Sequence, residues 1–168
     1  MKKNIKIISA LLLIILLLTV FCGCSAVSKD KAADEISKAW NEAGTEFPQG
    51  SFMGVFDEES TFTVVEVTKV EKDYYRAACN VISPNILEDM KKYQQNEGTD
   101  ATPEEMNSAI IEMIKNGKPT ATVQTVDIFK TDKGYSVVFS EGFVDAMYGY
   151  TYSYYKEQLN NMITDSVQ

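Results

Sequence analysis

The amino-terminal segment decides how much of this chain is left to fold. Residues 1–6 are cationic, and residues 7–21 form an apolar run interrupted only by Ser9 and Thr19. A charged start followed by an apolar stretch of this length is typical of a secretion signal. A membrane-spanning anchor would need about 20 apolar residues, and this run is shorter. We therefore expect residues 1–23 to be removed as a signal peptide.

A cysteine follows this signal at the point where bacterial lipoproteins are cut and acylated. The segment Gly23-Cys24-Ser25 resembles the lipobox, although Phe21 and Cys22 depart from the aliphatic and small residues that usually open it. We expect cleavage before Cys24 and acylation of that residue, which would hold the protein at the extracytoplasmic face of the cell membrane. An uncleaved anchor and an ordinary signal peptide are the two alternatives.

Length and charge limit the rest of the chain. Removing residues 1–23 from the 168-residue chain leaves 145 residues, the size of one domain. We expect a tether over residues 24–31 and a single domain over residues 32–168. Loss of the signal's three lysines changes the formal net charge from −8 to −11. So acidic a surface is repelled by nucleic acid, and we expect no nucleic-acid partner.

The residue types present exclude several kinds of catalytic site. The chain has no histidine, so it cannot build a Ser-His-Asp or Cys-His site. Cys79 lies in an apolar strand pattern, where cysteine acts as a small buried hydrophobe. The acidic residues at 57–59 and 97–100 lack the alternating ligands of a calcium loop. We therefore expect no catalytic residue, no metal and no cofactor.

Hydrophobic spacing predicts the first helix and two hairpins. Apolar residues at helical spacing over residues 30–43 predict an amphipathic helix that carries Trp40 into the core and ends at Gly44. Residues 61–82 and 121–143 are rich in β-branched and aromatic residues, with a polar turn inside each segment. Each of these segments is therefore predicted to form a β-hairpin.

Four further segments complete the prediction. Ser83-Pro84 suits the N-cap and first turn of a helix, and residues 102–105 form a capping box that opens another. Residues 45–60 predict a partly packed connection. From residue 144 to 162 the pattern fits both a strand and a helix, but its length favours one terminal helix with Gly149 inside it. The predicted core residues are Trp40, Ile86, Met90, Ile110, Met113, Val137 and Phe139.

This order of elements resembles that of small secreted lipoproteins of Gram-positive bacteria with a cystatin-like fold, related to the nuclear transport factor 2 superfamily. Residues 79–86 carry the resemblance, because a strand passes through Ser83-Pro84 into a helix, and so do residues 134–149. The resemblance implies an α+β fold in which a curved antiparallel sheet of about four strands packs on helices. Those lipoproteins mostly have no established activity, so the resemblance implies a fold and no function.

Two groups of residues are candidates for binding a ligand. Arg76 is the only arginine, and it could hold a carboxylate bidentately or lie on the surface with its stem against a tyrosine ring. A cluster of tyrosines near the carboxyl terminus could form an aromatic ligand surface or simply pack on the core. The cluster consists of Tyr148, Tyr150, Tyr152, Tyr154 and Tyr155.

We predict that Arg76 and this tyrosine cluster border one cleft. The cleft would belong to a non-catalytic binding or protein-interaction module, with an unknown protein or small molecule as its partner. The alternative is an enzyme that resembles the isomerases and dehydratases of the nuclear transport factor 2 superfamily. Such an enzyme would use a carboxylate base in a cone-shaped pocket.

Overall fold

The computed structural model describes residues 27–44, 51–96 and 101–157, so the signal segment and Cys24 lie outside the described residues. Its helices are α1 (Lys29–Gly44), α2 (Phe52–Glu59), α3 (Leu87–Asn96), α4 (Pro103–Asn116) and α5 (Glu141–Met147). Its strands are β1 (Thr61–Glu71), β2 (Tyr74–Asn85), β3 (Lys118–Thr131) and β4 (Gly134–Phe139). A short helical stretch over residues 152–157 follows α5. None of the described helices is both long and apolar enough to cross a membrane.

The four strands form one antiparallel sheet in the order β1-β2-β3-β4. Both predicted hairpins are confirmed, with Asp73 at φ 61° and Gly134 at φ 131° in their turns. The predicted end of the second hairpin at residue 143 is wrong, because β4 ends at Phe139 and Ser140 caps α5. Strands β2 and β3 pair along their whole length, whereas β4 pairs only with Val126–Thr131. Helices pack on one face of the sheet, which confirms the predicted α+β fold.

The core lies between the sheet and these helices. Along β2 the side chains of Tyr75, Ala77, Cys79 and Val81 are almost fully buried, and the residues between them point away from the helices. The ring of Trp40 contacts the rings of three core aromatic residues, Phe139, Phe143 and Tyr148.

The predicted core set occupies this one cluster. Trp40, Ile86, Met90 and Ile110 are buried, while the other three predicted residues are half-buried at its margin. Those three are Met113, Val137 and Phe139. The capping box at Thr102 is also confirmed, because its hydroxyl accepts a hydrogen bond from the amide of Glu105, whose carboxylate accepts one from the amide of Thr102.

The prediction that Ser83 caps a helix is wrong. Strand β2 continues through Asn85, and Pro84 lies opposite Pro119 in the β2–β3 ladder. The Ser83 hydroxyl donates a hydrogen bond to the carbonyl of Ala146 instead. Helix α3 begins only at Leu87, whose amide donates to Asn85 Oδ1 at 3.3 Å. The Ser83 hydroxyl therefore makes a tertiary hydrogen bond to α5 and does not cap α3.

The predicted connection over residues 45–60 is wrong in its second half. Residues Phe52–Glu59 form helix α2, with Ser51 as N-cap and Phe56 buried in the core. Residues 45–50 lie outside the described residues. The sequence of α2 predicts a helix only weakly, and burial of Phe56 in the core stabilises this short helix.

The predicted single terminal helix is also wrong. Helix α5 begins one residue after Ser140, whose hydroxyl accepts a hydrogen bond from the amide of Phe143, and it ends at Met147. Gly149 and Tyr150 then adopt left-handed conformations, with φ of 62° and 66°. A Cβ atom on residue 149 would lie 2.6 Å from the ring of Phe56. Glycine lacks this atom, so the chain can pass close to the ring, and its left-handed conformation interrupts the predicted helix here.

Candidate binding surface

Arg76 lies on the face of the sheet opposite the helices. Its neighbours Tyr75 and Ala77 point into the core, whereas its own side chain is 49% exposed. Its guanidinium donates two hydrogen bonds to Asp127 on β3, from Nε to Oδ1 at 2.8 Å and from Nη2 to Oδ2 at 3.3 Å. Nη2 also donates to the hydroxyl of Tyr74. The bidentate pair holds the guanidinium across two central strands.

The ion pair changes the electrostatics of its neighbours. The hydrogen bond from Arg76 lowers the pKa of the Asp127 carboxyl below its usual range. Desolvation, and then the hydrogen bond to Asp127, raise the pKa of Tyr74. The Tyr74 ring also stacks on Phe129 at a centroid distance of 4.8 Å. Of the two roles considered for Arg76, the structure shows the surface one, with its charge paired to Asp127.

Most of the tyrosine cluster packs on the helix side of the sheet. Tyr148 is buried against Trp40 and Phe56, and burial raises its pKa to about 12. The Tyr150 hydroxyl lies 3.1 Å from Oγ1 of Thr122, which is on the inner face of β3. Tyr148 therefore fixes the end of α5 to α1 and α2, and Tyr150 fixes the following turn to β3.

Tyr154 and Tyr155 fix the helical stretch over residues 152–157 to α3. The Tyr154 hydroxyl donates to Gln94 Oε1 at 2.6 Å, and the Tyr155 hydroxyl lies 3.9 Å from the sulfur of Met90. Tyr152 is 39% exposed.

The predicted shared cleft does not exist. Arg76 is on one face of the sheet, and the contacts of Tyr148, Tyr150 and Tyr155 are on the other. Side chains alternate along a strand, so the burial of Tyr75 and Ala77 places Arg76 outside. Whether any one of these side chains contacts a ligand by itself stays a prediction.

The side of the sheet away from the helices is open to solvent and partly apolar. We call this side the outer face. Its side chains are Thr61, Thr63, Glu66, Thr68 and Glu71 of β1, together with Tyr74, Arg76, Ala78, Asn80, Ile82, Ala121, Val123, Thr125, Asp127, Phe129, Ser136 and Val138. Ile82 is 40% exposed, Val123 63% and Val138 51%. Arg76 and Asp127 neutralise each other at its centre, while Glu66 and Glu71 on β1, opposite Ala78 and Tyr74, add exposed negative charge at its side. The part of this face formed by β2, β3 and β4 therefore carries one balanced pair of charges.

One edge of the sheet also has unpaired backbone. Strand β4 ends at Phe139 opposite Val126, so none of the described strands pairs with residues 118–125 of β3 on that side. We call these residues the open edge. The amide of Lys130 donates to the carbonyl of Asp73 on the β2 side, at 2.7 Å. Backbone amide and carbonyl groups alternate in direction along an antiparallel strand. Lys130 is even-numbered, so the amides and carbonyls of the other even-numbered residues of β3 also point to β2.

The odd-numbered residues Ala121, Val123 and Thr125 consequently point their amide and carbonyl groups outward from the open edge. Among the described residues, no further hydrogen bond reaches these groups. Pro119 is also odd-numbered, so an amide at this position would point outward. Its lack of an amide proton therefore removes no hydrogen bond to β2. The open edge thus offers a row of free donors and acceptors to another strand.

A surface cleft of about 290 Å³ lies between α1, α2 and the start of β1. Within it, Trp40 Nε1 donates to Asp57 Oδ1 at 3.0 Å, and desolvation raises the pKa of that carboxyl. Asp57 is nevertheless an exposed residue, as are Asn41 and Thr61 beside it. The cleft therefore lacks the enclosure that keeps water from a catalytic base.

Cys79 is fully buried on the inner face, as predicted, and burial raises the pKa of its thiol to about 11. Reactive cysteines are partly exposed and have a lowered pKa, so burial and a raised pKa disfavour a nucleophilic role for Cys79. Within the described ranges, no group of three or more acidic or cysteine side chains is placed to hold a metal ion.

Comparison with known proteins gives one distant likeness. No protein-family model matches the chain, and no curated protein matches its sequence. Among solved structures, the chain is similar to a candidate lipoprotein, YcdA, from Bacillus subtilis, with 17% sequence identity and a TM-score of 0.35. The match covers 56% of this chain and 33% of YcdA, so the chain spans about a third of that protein. A likeness of this extent supports no argument about family or function.

Proposed function

We propose that this protein is a lipid-anchored surface protein whose domain binds another protein through the outer face of its sheet. The anchor rests on the signal segment and on Cys24 after Gly23. The cystatin-like character of the fold is part of the same proposal, supported by the order of helices and hairpins. The domain acts by binding rather than by catalysis.

The open outer face is the observation that carries this proposal. Where one face of an antiparallel sheet packs on helices, the other face normally alternates to polar side chains. Here Ile82, Val123 and Val138 expose 40% to 63% of their surface on the same face as a paired arginine and aspartate. Apolar centres with few charges and a well-held arginine are typical of protein interfaces.

The charge of this surface limits the choice of partner. Arg76 and Asp127 satisfy each other, so contact with this pair requires no charged counterpart, and Glu66 and Glu71 beside it disfavour an acidic partner. The net charge of −8 disfavours nucleic acid and anionic lipid. The partner we propose is therefore a protein whose contact surface is partly apolar and not acidic.

Among the described carboxylates, Asp57 is the best candidate for the base of the alternative enzyme, because its pKa is raised, as expected of a carboxylate base. Its exposure in an open cleft disfavours that role. We therefore propose no catalytic step there, and we expect Asp57→Asn to leave partner binding unchanged.

Capture from the native membrane tests the proposal when it is compared across variants. The full chain is crosslinked in place, extracted in detergent and isolated as wild type, Ile82→Lys, Val138→Lys and Tyr152→Lys. Tyr152 is as exposed as Ile82 but lies outside the outer face, so it is the matched control.

We expect wild type and Tyr152→Lys to capture the same protein, and both outer-face variants to capture about tenfold less because a lysine cannot be buried at the contact. Melting temperatures should be similar, since all three positions are exposed. Equal capture by all four proteins would overturn the proposal.

A further inference from the structure

We infer that the open edge joins two copies of this chain by antiparallel strand pairing, which would make one continuous sheet of eight strands. This inference rests on the backbone of β3 and does not depend on a partner at the outer face. The pairing would use the outward amide and carbonyl groups of Ala121, Val123 and Thr125.

The open edge has the length and composition of a pairing strand. Its eight residues span roughly 26 Å at the usual rise of about 3.3 Å per residue. Residues 120–126 are Thr-Ala-Thr-Val-Gln-Thr-Val, a sequence that favours strands and carries no charge.

Proteins normally protect an edge of this kind with charges, prolines or bulges. Here the protection is limited to Lys118 and Pro119 at one end. The centre remains open, since the side chain at its middle, Val123, is 63% exposed.

The lack of charge along the open edge favours a second copy as the occupant. The chain is acidic, with a formal net charge of −8, so two copies repel each other over most of their surfaces. Residues 120–126 carry no charge, so two open edges can meet without bringing like charges together. Antiparallel pairing also places the Lys118 residues of the two copies at opposite ends of the contact, whereas parallel pairing would place them side by side.

An identical copy also meets the two other requirements of a closed dimer. A twofold interface must be self-complementary, and an antiparallel strand paired with itself is so by symmetry. Helix α5 packs on β2 and β3. With strands about 4.8 Å apart, the α5 helices of two copies would lie roughly 10 Å apart, an ordinary distance between packed helices.

Two substitutions at Val123 separate backbone pairing from side-chain contact. Val123→Pro removes the outward amide proton, whereas Val123→Thr keeps it and keeps the β-branched shape. The proline does not break the β2–β3 ladder, because the lost amide points away from β2. The full chain, extracted from its membrane in mild detergent, is measured by sedimentation velocity over a range of concentrations.

We expect wild type and Val123→Thr to dimerise and Val123→Pro to dimerise at least about tenfold more weakly. A monomeric wild type, or a dimer unaffected by the proline, would overturn the inference. Equal loss in both variants would also overturn it, because side-chain contact would then hold the copies together.

Amide hydrogen exchange of the wild type tests the same pairing without any substitution. The amides of Val123 and Thr125 should become protected as the protein concentration rises, whereas exchange that is independent of concentration would contradict the pairing. Ile82→Lys should leave dimerisation intact. Loss of the dimer in that variant would place the contact on the outer face and overturn the inference, whereas loss of captured partner alone bears only on the proposed function.

Discussion

At the scale of single residues, the sequence identified the right side chains but not where they point. Arg76 was recognisable as the only arginine, yet its orientation depends on which residues of β2 are buried. A shift of one residue reverses both faces of a strand, and only pairing with β1 and β3 fixes that choice. Asp127, the partner of Arg76, gave no signal in the sequence because 51 residues separate the two.

The Arg76 pair should be visible in the titration of Asp127. The pKa of Asp127 is lower in the folded chain than in the unfolded chain, where it is about 3.9. The pair therefore contributes stability above that pH and loses it as the pH falls through the folded pKa.

Replacing Arg76 with alanine should raise the pKa of Asp127 toward the unfolded value, as measured by NMR titration of the carboxyl. Lys92→Ala, which removes an exposed ion pair with Asp89, is the control and should leave the Asp127 titration unchanged. An unchanged titration in Arg76→Ala would contradict the bidentate contact.

At the scale of elements, local signals predicted well wherever the neighbouring sequence decides the structure. The hairpin turns and the capping box at Thr102 need only adjacent residues, and they are confirmed. The errors are at Ser83 and Gly149, where distant segments decide. The open edge could not be predicted, because it exists only where Ser140 ends β4 early and begins α5.

The break after α5 should make Gly149 sensitive to substitution. An added Cβ would require a left-handed conformation and would lie 2.6 Å from both the Phe56 ring and the carbonyl oxygen of Pro84. We expect Gly149→Ala to lower the free energy of unfolding by about 1–3 kcal/mol, measured by urea denaturation.

Gly54→Ala is the matched control for this prediction. A Cβ at Gly54 would meet no atom within 4 Å, and the residue is helical. The change should be neutral or stabilising by up to about 1 kcal/mol. Equal destabilisation by both substitutions would contradict our explanation of the break.

At the scale of the whole molecule, we propose an exported, lipid-anchored chain whose domain binds through its sheet. The sequence predicts the anchor, because the signal pattern is local. The proposed binding surface could not be predicted from the sequence, since Ile82, Val123 and Val138 come from three strands. Isolated exposed apolar residues are ordinary, and their meeting on one uncovered face is what indicates an interface.

Cys24 should decide where the protein resides. Cys24→Ala removes the acylated residue, so the protein should leave the membrane fraction or retain its uncut signal. Cys22→Ala is the control, since that cysteine would be removed with the signal. Mass spectrometry of wild type should show an acylated chain beginning at Cys24, and an intact Met1 would contradict the anchor.

Site-specific photo-crosslinking in living cells tests whether the outer face binds another protein. A photoreactive amino acid is placed in the full chain at Val138 on the outer face, and separately at Tyr152 as the exposed control. Binding through the outer face should give a discrete protein adduct from position 138 and none from position 152. If position 138 gives no adduct, or both positions give the same adduct, the outer face is not the binding surface.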